Sequence, residues 1–165
     1  MAGPGNSGGR LMPWVSAVPS AVTNLVAALN SALPGVTVAD GPVVTGASRD
    51  EAVTVGFDDQ ASGTPAVSVT QTLDGATGHP QRQSFDIHCA VLVRSATNDT
   101  AAARSRAGDL LAKVASALET DQTLGGAVMA ASCGDATWSA TADQRGVLLA
   151  VTFAVSCDAF EKESS

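Results

Sequence analysis

The sequence predicts an α+β fold: two main helices packed on a largely antiparallel, twisted sheet. Three observations predict it. From Arg145 to Cys157, Val147, Leu149, Val151, Phe153, Val155 and Cys157 fall on one face, the period of two that marks a strand. Gln83 to Arg94 alternates in the same way, with Phe85, Ile87, Cys89, Val91 and Val93 opposite Asp86, His88, Ala90, Leu92 and Arg94. Two other stretches, Val18–Leu33 and Thr100–Glu119, repeat apolar residues at helical spacing instead. A chain of 165 residues is long enough to bury a real core in one domain.

Taken in order, residues 1–15 read as a flexible Gly-rich leader, 16–160 as a single α+β domain and 161–165 as an acidic tail. The first helix is expected after Pro19-Ser20, with Ser20 as its cap, and ends at Pro34-Gly35. Val18, Val22, Leu25, Val26, Leu29 and Leu33 are its apolar stripe. A short strand, 36–39, breaks at Asp40-Gly41-Pro42, and Thr45 to Asp50 reads as loop. Val53, Val55 and Phe57 mark a second strand, and Ala66 to Leu73 a third. The turn cluster 74–80 joins that third strand to Gln83–Arg94 as an antiparallel hairpin with a long loop.

The second helix starts at Asp99 or Thr100. Ala103, Ala107, Leu110, Leu111, Val114 and Leu118 face the core, with Arg104, Arg106, Asp109 and Lys113 toward water. Val128–Ser139 and Gly146–Cys157 then form a second hairpin, both strands alternating without a break. The second face of the last strand (Leu148, Ala150, Thr152, Ala154, Ser156) is largely apolar and small, so both sides of it are expected to be covered.

Composition narrows the function. Aromatics are 4% of the chain and tyrosine is absent, so Val, Leu and Ala build the core, with Phe57, Phe85, Phe153 and Trp138 as its few large pieces. That scarcity argues against a carbohydrate reader. A formal net charge of −7 argues against a protein that wraps nucleic-acid phosphate. No apolar run reaches the roughly twenty residues that span a bilayer, and the N-terminus does not read as a signal peptide. Cys89, Cys133 and Cys157 read as buried free thiols in apolar strands of a cytosolic protein, with one disulfide between facing strands as the alternative.

Several strings match motifs by letter only. Gly3-Pro4-Gly5-Asn6-Ser7-Gly8 fits GxGxxG, and Gly5-Asn6-Ser7-Gly8-Gly9 fits GxSxG, but neither sits between a strand and a helix. Gly41 to Ser48 has the glycine spacing of a phosphate loop with Ala47 where the chemistry needs Lys. His88 and Cys89 are strand neighbours, so they leave opposite faces and cannot chelate one ion. Asp58-Asp59, near Asp50 and Glu51, lacks the spacing of a calcium loop and reads as a solvated acidic loop. Asn98-Asp99-Thr100 is a glycosylation sequon by letter and reads as a helix start. No catalytic, cofactor-binding or metal-ligating set emerges, and no cofactor is expected.

The order of elements, however, resembles the tail terminator proteins of long-tailed, siphovirus-like bacteriophages. The similarity runs over roughly residues 16–160: "VTNLVAALNSALPGVTVADGP", "FDIHCAVLVRSATND", "AARSRAGDLLAKVASAL" and "GVLLAVTFAVSCDAF" carry it. The resemblance implies a structural virion protein and no enzyme. Such proteins form a ring, in that family a hexamer, on the head-proximal end of the tail tube, stop its polymerisation and join tail to head. The implied partners are further copies of the chain, the tail-tube protein and the head–tail connector protein. DNA passes through the lumen without specific binding, and no membrane is involved. The implied location is the virion tail, with assembly in the host cytoplasm.

On that reading, candidate contacts with subunits or partners are Arg82, Asp86 and Arg94 on the polar side of the central strand, and Asp58, Asp59 and Asp74 in the turn-rich loops. A tail-tube or head–tail connector subunit could share this texture. Outside virions, a small-ligand or peptide-binding module of a bacterial host is the alternative, and it would need a pocket lined by polar groups from several elements.

Overall fold

The computed structural model describes residues 16–41, 51–56, 65–72, 82–97, 99–144 and 146–160. Two helices, α1 (Val18–Ala32) and α2 (Thr100–Thr120), accompany six strands: β1 (Thr37–Asp40), β2 (Glu51–Val55), β3 (Val67–Thr72), β4 (Arg82–Ser95), β5 (Ala130–Asp143) and β6 (Gly146–Phe160). The strands form one sheet in the order β1-β2-β4-β6-β5, with β3 also on β4. Every pairing is antiparallel except β1 with β2. This is the expected α+β fold.

The long strand β4 organises the sheet. Along one side it pairs with β6 over its whole length. Along the other it takes β3 at Arg82–Ile87 and β2 at Cys89–Val93. That side therefore changes partner at His88, where β3 gives way to β2. The hairpin β5–β6 breaks at the same level. Cys133 pairs with Val155 and Ala136 with Phe153, so Gly134 and Asp135 together oppose Ala154, the partner of His88.

This bulge corrects the expectation of unbroken alternation in β5. One extra residue moves the even positions Ala136, Trp138, Ala140 and Ala142 onto the face that Ala131 and Cys133 occupy below it. The hairpin closes at Asp143 and Gly146. Gly146 has φ 111°, and a Cβ there would lie 2.0 Å from the Ser95 carbonyl oxygen, so the close approach of two chain segments requires glycine.

The core lies between one sheet face and both helices. Phe85, Ile87, Cys89 and Val91 of β4 meet Leu149, Val151, Phe153 and Val155 of β6, with Val53 and Val55 beside them. Ala21, Leu25 and Leu29 of α1, and Ala103, Ala107, Leu110, Val114 and Leu118 of α2, close over them. These are the apolar stripes read from helical periodicity. The other face of β6 is only half-buried, which corrects the expectation that both its sides are covered. Burial on that face is found instead at Ala52, Thr54 and Ala90.

The start of α1 differs from the sequence reading. The helix begins at Val18, and Ser20 lies inside its first turn. Ser16 Oγ accepts from the Val18 N–H at 3.1 Å, while Gln83 Oε1 of β4 accepts from Ser16 Oγ and from the Ala17 N–H. Proline at position 19 has no N–H to satisfy, so it suits a first turn. At α2 the expectation holds: the Asp99 carboxylate accepts from the Ala102 N–H at 3.0 Å.

Candidate assembly surface

Arg82, Asp86 and Arg94 all lie on β4. Arg82 opens the strand and pairs with Thr72 and Phe160. Asp86 and Arg94 share the helix-free face by strand parity, opposite Ser156 and Leu148. The Asp86 carboxylate accepts from Ser156 Oγ at 2.8 Å, so part of its hydrogen-bonding capacity is spent within the sheet. Asp58, Asp59 and Asp74 lie outside the described residues, as do the glycine strings of the N-terminus, most of Gly41–Ser48, and Phe57.

The helix-free face carries a polar ladder across three strands. Ser84 Oγ donates to Asp158 at 2.6 Å, one register step from the Asp86–Ser156 pair. Ser68 of β3 lies 3.3 Å from His88 Nε2 at an exposed position. His88 and Cys89 indeed leave opposite faces, since Cys89 is buried in the core. Among the described residues no group of His, Cys, Asp and Glu is arranged to hold a metal ion. No helix among them is long and apolar enough to cross a membrane.

The three thiols are free. Burial pushes Cys89 up to about 12. Cys157 also rises to about 12, first through burial and then through the nearby carboxylates of Asp86 and Asp158. Burial raises the half-buried Cys133 as well. Thiolate is the reactive form, so these side chains serve as packing groups and not as nucleophiles.

Arg106, expected to point to water, instead pairs with Glu51 of β2. Its Nε and NH2 groups donate to the two carboxylate oxygens at 2.5 and 2.9 Å. The hydrogen bond from Arg106 holds the Glu51 carboxyl below its ordinary 4.5, partly offset by desolvation. The pair ties α2 to β2. Farther along the helix, Gly108 faces the β5 side, where an added methyl would touch the Trp138 ring at 3.8 Å.

The surface that sequence reasoning missed is β5 itself. Ser132 and all the side chains described from Gly134 to Ala142 are exposed, although the strand is paired along its inner edge. Trp138, expected in the core, is 43% exposed. The physical reason is position: β5 is the last strand of the sheet, and its outer edge has no neighbouring strand among the described residues. The signal in the sequence was its composition, since Ala, Ser, Thr and Gly fill most of Ala130–Asp143 where a buried strand would carry Val, Ile or Leu.

No family model matches the chain, and no curated protein does. Among solved structures, the chain is similar to a chain in the virion of a native gene transfer agent (GTA) particle. The identity is 13%, the match covers 81% of this chain and 84% of that chain, and the TM-score is 0.45.

Proposed function

We propose that this chain is a structural subunit of a virion, and within that class a tail terminator. Copies of it close into a ring on the head-proximal end of the tail tube, stop its growth and present the surface that joins the head. The observation that carries the reading is the β5 edge. It is fourteen residues long, exposed over most of its length and free of Lys, Arg or Pro, with the bulge at Gly134-Asp135 as the one device within it that commonly protects an edge. Such an edge is an aggregation hazard in an isolated molecule and an asset in a closed assembly, where every edge finds a partner. The element order read from the sequence supports the same family.

The role is non-enzymatic. On the helix-free face Ser84, Asp86, Ser156 and Asp158 are half-buried, and Asp86 and Asp158 accept from neighbouring serines. A catalytic site needs an acid and a base converging in one cleft.

The test is the mass of the purified chain across a concentration series, with electron-microscope images of the same samples and of samples mixed with tail tubes. Closed rings of one size, or capture at one end of the tubes, are the expected results. Open-ended filaments would identify a tube subunit instead. A monomer that ignores tube ends would end the virion reading.

A further inference from the structure

Among the described residues, the large apolar side chains left exposed are Val69, Met129 and Trp138, at 45%, 53% and 43%. They sit at opposite margins of the sheet. Trp138 lies on β5, at the end of a register row running through Val151, Val91 and Val53 to Val38 of β1. Val69 lies on β3, at the end of a row through Phe85 and Cys157 to Ala131 of β5. Both rows belong to the helix-bearing face. Met129 directly precedes β5, and its N–H donates to the Asp158 carbonyl at 2.7 Å.

We propose that the outer edge of β5, with Trp138 and Met129, docks the β3–β1 edge of a second copy of this chain. The inference rests on the ring reading and names the two surfaces that meet in it. Strand direction is the first argument. β5 runs with β4, whereas β1, β2, β3 and β6 run the other way. A head-to-tail continuation of the sheet therefore sets β5 antiparallel to β3 or β1 of the next copy, the more stable pairing.

Extent is the second argument. A specific interface needs about 800 Å² per partner. Fourteen residues of edge, at about 3.4 Å each and about 10 Å thick, offer on the order of 500 Å². The exposed parts of Trp138 and Met129 and the adjoining flank of α2 add to that. The occupant must therefore be about as long as β5, which a single short strand is not. The opposite margin of this chain is long enough, since β1 and β3 together span the rows from Ala150 to Phe160 of β6. It also steps from β3 to β1 at the level of the β5 bulge, so the two edges are interrupted at the same height.

Charge is the third argument. In a chain of net charge −7, β3 has no charged residue, β1 has Asp40 at its end, and the acids of β5 are Asp135 at the bulge and Asp143 at the turn. The β3 part of the margin therefore meets β5 without a like-charge row, and Asp40 near Asp135 is the one close pair of acids that the register sets between the edges. A twofold β5–β5 pairing would instead close a dimer and leave the β3–β1 edge unused.

Cross-linking tests this. In a Cys133→Ser background, Val38→Cys protein is mixed with Trp138→Cys protein, and Val69→Cys protein with Met129→Cys protein, matching the rows at which the edges meet, and each mixture is oxidised. The expected result is a covalent pair in at least one mixture and in no variant alone. A pair formed by Trp138→Cys or Met129→Cys alone would overturn the proposal in favour of the twofold contact. Absence of any pair while rings are visible would overturn the edge assignment and leave the ring reading standing. A chain that is monomeric at every concentration and ignores tube ends would remove both. As a second measurement, Trp138→Lys should raise the concentration needed for assembly at least tenfold with an unchanged circular dichroism spectrum. Unaltered assembly would overturn the assignment.

Discussion

Glu51 and Arg106 form an ion pair that ties a helix to a sheet. Glu51 opens β2 and Arg106 lies in the second turn of α2, and the guanidinium spans both carboxylate oxygens. The Arg106 side chain is 39% exposed and that of Glu51 26%, so solvent screening keeps the contribution small. An exposed pair of good geometry contributes about 0.5 kcal/mol. Because the folded Glu51 carboxyl titrates below its ordinary 4.5, the contribution is complete above that value and is lost as pH falls through the lowered folded value. Glu51→Gln should therefore be less stable than the parent by about 0.5 kcal/mol at pH 7, with the difference fading well below pH 4.5. Urea unfolding at several pH values measures it; a difference that persists in acid would mean the loss comes from packing and not from charge.

At the scale of elements, α2 is set by a cap and a buried stripe. Asp99 caps it, and five buried residues, Ala103, Ala107, Leu110, Val114 and Leu118, press it on the sheet. Asp99 is exposed and its carboxylate serves the Ala102 N–H, so Asp99→Ala should cost about 1 kcal/mol. Asp99→Asn should recover most of the loss, since the amide oxygen can accept the same bond; a denaturation midpoint unchanged in both variants would show that the cap is idle. This cap was legible in the sequence because it depends on local spacing alone, as were the stripes of both helices and the alternation of β4 and β6. The start of α1 was not, because the groups that bind it include Gln83, 66 residues from Ala17. Nor was the β5 bulge, since its extra residue is defined only by the register against Ala154. Trp138 was misplaced for the same reason. Burial follows what covers a residue, and the outer edge of β5 has no neighbouring strand among the described residues. Of the proposed contacts, Asp86 and Arg94 lie on the helix-free face of β4 by strand parity, and their role as contacts is a proposal; the exposed edge that carries the assembly proposal follows only from strand order.

For the whole molecule, the net charge of −7 and the two-sided architecture act together. The helices occupy one face, and the other carries hydroxyls and carboxylates, among them Ser84, Asp86, Ser156 and Asp158. On the proposed ring, assembly brings like-charged copies together, so repulsion opposes it and added salt should favour it. The Debye length falls from about 10 Å at 0.1 M to about 3 Å at 1 M, so rings should form at lower protein concentration as salt is raised. The same net charge should keep the chain off duplex DNA even at low ionic strength, where phosphate binding is strongest. Sedimentation across a salt series, with gel-shift measurements on duplex DNA in the same buffers, separates the two effects. Salt-promoted rings without DNA retention would agree with a conduit through which DNA moves freely. Retention of DNA that weakens steeply with salt would instead reveal a basic contact surface and overturn the lumen assignment, because a channel that grips phosphate would hold back the molecule it has to pass.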